Sequence, residues 1–226
     1  MTNTVHQNRI ELWSICNAFA LVIGLIFTLI SEELNILLAV FSISIAIFII
    51  LNIEYITKLK FHFGVANAIT LLRYLIIVLS FLCINFSNTT LLFYSLSSAV
   101  ILDYFDGKAA RYFKENSLFG QYFDMEIDAF YTLLMCCFYS IIQEISFWII
   151  IPGVLRYAFR LCTFCFPKPH VKEEKKTYAT VIAASYFVVL LLGLITHGII
   201  QQLILILGSL AIVISFSIGF FQYYKN

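Results

Sequence analysis

Charge is scarce in this sequence: Asp, Glu, Lys and Arg make up 12% of its 226 residues, about half the share usual in soluble domains. A chain so poor in polar side chains cannot cover a water-facing exterior. The net charge of +1 excludes the basic excess of a nucleic-acid binder. Prolines number only three, so long helices can run unbroken. The six cysteines all lie in apolar stretches, where Cys behaves as a small hydrophobe, and this argues against a disulfide-stapled secreted domain. Cys162 and Cys165 form a CxxC without a second pair, too little for a zinc or redox site. There is no internal repeat, low-complexity tract or metal-ligand spacing among the four histidines. What the chain has is 62% apolar residues, 23 Phe and a mean hydropathy of +0.94, the profile of an all-α polytopic membrane helix bundle.

A helix needs about 20 apolar residues to cross a bilayer core of roughly 30 Å. Eight runs approach that length, at 13–30, 34–53, 65–84, 89–105, 122–142, 147–166, 178–195 and 199–224. The fourth is the shortest. With the N-terminus inside, all eleven loop cations fall on the inner side: Arg9, Lys58, Lys60, Lys108, Arg111, Lys114, Lys168, Lys172, Lys175, Lys176 and Lys225. The outer loops carry none, which by the positive-inside rule places both termini in the cytoplasm. The stretch 170–176 reads as a solvated interfacial segment. Arg73, Arg156 and Arg160 lie inside predicted spans and need a reason, because a cation in hydrocarbon costs at least about 2.5 kcal/mol.

The acids from Asp103 to Asp128 are what a merely structural membrane protein would not carry. Asp103 and Asp106 are three apart, Asp124 and Asp128 four apart, so on helices each pair shares a face. The first pair ends the fourth span and the second begins the fifth, which sets four carboxylates at one water–membrane boundary on adjacent antiparallel helices. So many like charges need divalent cations, and hard oxygen ligands suit Mg²⁺ or Mn²⁺ better than zinc. Gly107 and Gly120 leave room for a ligand or a neighbouring helix, and Arg111 can grip a phosphate through two hydrogen bonds.

Spelled out, the segment reads Asp103-x-x-Asp106-Gly107-x-x-Ala110-Arg111, eight residues, Gly120, three residues, Asp124, three residues, Asp128. This resembles the signature of the CDP-alcohol phosphotransferase family of integral membrane phospholipid synthases. Upstream, Asn67-x-x-Thr70-x-x-Arg73 is similar to that family's first core helix. The resemblance implies a six-helix core over 64–226 preceded by a two-span extension over 1–63.

It also implies a reaction: an acceptor hydroxyl attacks the phosphorus next to the alcohol half of a CDP-alcohol and CMP is released. Carried over by position, Asp103, Asp106 and Asp124 hold one metal ion, Mg²⁺ or Mn²⁺, and Asp103, Asp124 and Asp128 a second. Asp128 takes the acceptor proton. Asn67, Thr70, Gly107, Arg111, Ser117 and Gly120 contact the CDP moiety. The family's members are commonly homodimers, and their metal site opens to the cytoplasm. A multi-pass cell (inner) membrane protein with a cytoplasmic active site follows.

Substrate identity stays open at this level. The expected reaction moves a phosphatidyl group from CDP-diacylglycerol to a small polar alcohol, phosphorylated or not. A second reading moves phosphocholine or phosphoethanolamine from its CDP form to a lipid hydroxyl, and a third makes the chain a divalent-cation carrier or an inactive scaffold. Arg156 and Arg160, four apart on one helix face, are candidates for a cationic acceptor pocket beside the acids. Glu126 is an extra acid between two signature positions. On a helix it is rotated about 200° from Asp124, so it is expected to face away from the metals and to pair with a lysine on the loop or subunit side.

Overall fold

The computed structural model describes residues 2–58, 63–115, 117–166 and 177–225. Lys60 and the lysines of 168–176 lie outside the described residues. Among the described residues nine α-helices follow in order: α1 (Thr2–Ser31), α2 (Leu34–Leu51), α3 (Ile53–Lys58), α4 (Val65–Cys83), α5 (Thr89–Tyr112), α6 (Leu118–Ile141), α7 (Ile150–Cys165), α8 (Thr177–Ile195) and α9 (Gly198–Lys225). A single 3-10 turn, Phe147–Ile149, leads into α7, and no strand occurs among the described residues. The chain is an all-α, polytopic membrane protein.

All but the six-residue α3 are long helices, and they coincide with the eight expected spans. Five stretches are both long and apolar enough to cross a membrane: Gln7–Ser31, Leu34–Leu51, Val65–Cys83, Phe147–Cys165 and Gly198–Tyr223. The described apolar part of α8, Ala179–Ile195, is shorter. In α5 and α6 the interruption comes from the acids themselves. The fourth span, expected to end at 105, belongs to a helix that continues to Tyr112, because a helix backbone needs no apolar side chain once it reaches water. Asn88 caps its start by accepting a hydrogen bond from the Leu91 amide at 3.0 Å.

The chain divides into two compact units, 1–131 and 132–226, with the boundary inside α6. In the first unit α1 and α2 pair as a hairpin, and α4 packs along α5. Its core is aromatic: Phe41 stacks on Phe130 at 3.9 Å between centroids, and Phe48 lies between Trp13 at 4.0 Å and Phe119 at 4.8 Å. Hydroxyl and indole groups fasten helices where no water competes. Tyr74 donates to Ser42 at 2.6 Å and Trp13 Nε1 to the Ser44 carbonyl at 3.0 Å.

The second unit joins the C-terminal half of α6 to α7, α8 and α9. Its buried Leu133–Tyr139 stretch ends in Tyr139, whose hydroxyl donates to the Leu190 carbonyl of α8. Tyr186 and Ser209 link α8 to α9 at 3.2 Å, and Gln201 reaches back to the Gly193 carbonyl at 2.9 Å.

Candidate active site

Three helices of the first unit converge on one cluster. From α4 come Asn67, Thr70 and Arg73, three residues apart, on one face and all buried. From the last turns of α5 come Asp103 and Asp106, and from the first turns of α6 come Asp124 and Asp128. The structure therefore gathers all four signature acids.

Arg73 joins them. Its Nη1 pairs with Asp103 and, at 3.3 Å, with Asp106; its Nη2 pairs with Asp124 at 2.7 Å and with Asp128 at 3.0 Å. The guanidinium side chain is only 3% exposed, whereas Asp103, Asp124 and Asp128 are 29%, 37% and 34% exposed. The cation is thus covered by protein while three acids keep a partly open side. Asp106 is the deep member, 7% exposed, and its Oδ2 lies 3.0 Å from the Thr70 hydroxyl. This gives the reason that a cation inside the third span requires: Arg73 is the counter-ion of the tetrad.

One guanidinium cannot balance four carboxylates, and the ionised cluster keeps an excess of three negative charges. One oxygen from each of Asp103, Asp106 and Asp124 lies within 4.8 Å of the others. Ligand oxygens about 2.1 Å from Mg²⁺ stand about 3 Å apart in cis and about 4 Å in trans, so these acids need close by at most about 2 Å. Their charge, spacing and all-oxygen chemistry fit a divalent cation.

The expected nucleotide contacts separate into open and packed positions. A Cβ added at Gly107 would meet nothing within 4 Å, so the α5 backbone there faces open space. At Gly120 it would stand 2.6 Å from Asn67 Oδ1 and 3.2 Å from Ser117 Oγ, so glycine is needed for α6 to approach α4. Ser117 caps α6 by accepting from the Gly120 amide at 3.0 Å, and Asn67 donates to the Phe63 carbonyl at 2.6 Å. Arg111 is exposed on α5 and its Nε donates to the Gly107 carbonyl at 3.0 Å. Arg156 and Arg160 belong to the second unit, half-buried on α7.

Two features differ from, or were invisible to, the sequence reading. Glu126 faces away from the acid cluster's side of α6 as its 200° offset requires, but it is not at a loop or subunit surface. It is 2% exposed and takes hydrogen bonds from Ser14 and Asn17 of α1. Glu115 carried no sequence signal, yet its carboxylate accepts from the Ala66 amide at 2.9 Å and so caps α4 from 49 residues away. Arg73 stands out in the sequence as a cation inside a span, in phase with Asn67 and Thr70, and the structure adds its partners, the four acids.

The profile of the CDP-alcohol phosphatidyltransferase family matches residues 63–216, and the chain belongs to that family. It is similar to a CDP-diacylglycerol–inositol 3-phosphatidyltransferase of Candida albicans, 35% identical over 105 residues that make up 43% of this chain. The match spans 45% of that relative, less than half its length. No solved structure matches the chain.

Proposed function

We propose that this protein transfers a phosphatidyl group from CDP-diacylglycerol to a small polar alcohol, releasing CMP, with inositol the first acceptor to test. Family membership supports the reaction type, and the relative's name supports the donor and the acceptor. The observation that carries the reading is the convergence of Asp103, Asp106, Asp124 and Asp128 on one partly open face.

In this reading Asp103, Asp106 and Asp124 hold one divalent ion, and Asp103, Asp124 and Asp128 a second. Divalent ions held there would supply positive charge against the pyrophosphate and the departing CMP. Asp128 accepts the proton of the acceptor hydroxyl while the hydroxyl oxygen bonds to the phosphorus of the phosphatidyl group and the bond from that phosphorus to the CMP oxygen breaks. Asn67, Thr70, Gly107, Arg111, Ser117 and Gly120 bind the CDP moiety. Arg156 and Arg160, a turn apart on α7, serve a phosphorylated acceptor if one is used. We assign residues 64–226 to the family core and 1–63 to an extension, in a homodimer with site and termini toward the cytoplasm.

The test is CMP release from radiolabelled CDP-diacylglycerol by the purified chain with Mn²⁺ and a panel of inositol, inositol phosphate and glycerol phosphate. One acceptor should support release, and EDTA or Asp128→Asn should abolish it. Release only from CDP-choline or CDP-ethanolamine with diacylglycerol, or cation flux without any CMP, would overturn the reading.

A further inference from the structure

The helix that supplies Asp124 and Asp128 has two working faces. Gly120, Asp124 and Asp128, four apart, lie along the face turned to α4 and Arg73. Phe119, Phe123, Glu126 and Phe130, at helical spacing, form another stripe, and every one of them is at most 2% exposed. The N-terminal hairpin covers that second stripe. Phe48 of α2 stacks on Phe119 and lies 6.4 Å from Phe123, and Phe41 stacks on Phe130. At the centre is Glu126, with Ser14 Oγ donating to Oε1 at 2.9 Å and Asn17 Nδ2 donating to Oε2 at 2.8 Å.

Ring stacking holds the hairpin to α6 but fixes its rotation only loosely, because stacked rings tolerate offsets of about an ångström or more at little cost. A carboxylate with both oxygens bonded is directional, and a buried one is costly unless its bonds are made. The donors are on α1, outside the 63–216 segment matched by the family, whereas Glu126 lies within it, so the clamp ties the extension to the matched segment. Side-chain ends stand about 5 to 6 Å from a helix axis, so a roll of about 10° carries a carboxylate about 1 Å sideways. A misplacement of about 1 Å at a reacting site costs on the order of 100-fold in rate.

We infer that the α1–α2 hairpin is a positioning element for the acid tetrad: Ser14 and Asn17, by holding Glu126, fix the rotation of α6 and thereby aim Asp124 and Asp128. Glu126 acts through its neighbours and touches no substrate. The inference rests on the proposed metal-binding role of those two aspartates.

Mn²⁺ binding to the purified full chain, followed by electron paramagnetic resonance, tests it alongside CMP release. Asp124→Asn should lose Mn²⁺ binding, which checks the metal assignment itself. Ser14→Ala with Asn17→Ala should weaken Mn²⁺ binding about tenfold or more and lower kcat, with KM for CDP-diacylglycerol little changed. Ser14→Ala alone, which removes one of the two bonds and no more than a hydroxyl's volume, should give an intermediate loss of Mn²⁺ affinity, as a purely structural packing role would not require. Asn17→Ala alone removes one bond and serves if the double variant does not fold. Wild-type Mn²⁺ affinity in folded clamp variants, with Asp124→Asn defective, overturns the positioning role and spares the metal reading. Absence of Mn²⁺ binding by the wild type overturns both.

Discussion

Arg73→Met is the sharpest probe of the site, because it removes the cation buried among the acids and keeps the unbranched, flexible inner part of the side chain. Ion pairs of 2.7 and 3.0 Å correspond to about 5 to 6 kcal/mol each at an effective dielectric of about 20. Acid oxygens within 4.8 Å repel one another by at least about 3.5 kcal/mol per pair on the same scale. These gross values are not additive. Desolvation of the guanidinium and solvent at the partly exposed acids cancel much of them, and loss of one partner from a buried pair costs about 3 to 5 kcal/mol net. At about 2 to 4 °C per kcal/mol, the melting temperature in detergent with EDTA should fall by on the order of 10 °C. Millimolar Mg²⁺ or Mn²⁺ should recover more of that loss in Arg73→Met than it adds to the wild type, since divalent charge can take over from the guanidinium. The assay is thermal unfolding of both proteins across a metal titration. Equal melting of variant and wild type in EDTA would refute the account of Arg73 as counter-ion.

Three further substitutions probe the frame around the acids. Gly120→Ala places a methyl group 2.6 Å from Asn67 Oδ1, whose amide is already tied to the Phe63 carbonyl, so Asn67 must move or α6 must withdraw. The expected cost is about 1 to 3 kcal/mol, read mainly as a raised KM for CDP-diacylglycerol with a smaller drop in melting temperature. Glu115→Ala removes the carboxylate at the start of α4 and should cost about 1 kcal/mol in thermal unfolding. Gly64→Ala should cost more than that, because φ there is +78° and a Cβ would sit 2.8 Å from Glu115 Oε2.

What could be read in advance follows physical range. The eight long helices were legible because an uncharged run long enough to span a bilayer has little other choice of structure. The four acids were legible through their three- and four-residue spacings, which are local helix geometry. The end of α5 was not: apolar patterning stops where charges begin, whereas the backbone continues through Asp106, Gly107 and Arg111 until Phe113 and the left-handed Lys114 at φ +55°. Glu126 shows the same limit. Its direction followed from a rotation of about 100° per residue, but its partners lie 109 and 112 residues away, and no local pattern names them.

The unexpected length of α5 has a bearing on how an amphiphile could be handled. From Asp103 to Arg111 the helix rises about 12 Å, nearly half the thickness of the hydrocarbon layer. One continuous rod therefore carries the carboxylates at the C-terminal end of the apolar run and the basic residues Lys108 and Arg111 beyond it. A donor with two acyl chains and a nucleotide could lie along that rod with each part at its natural depth. On the proposed reading, the lipid never has to leave the bilayer for its phosphorus to meet a water-soluble acceptor.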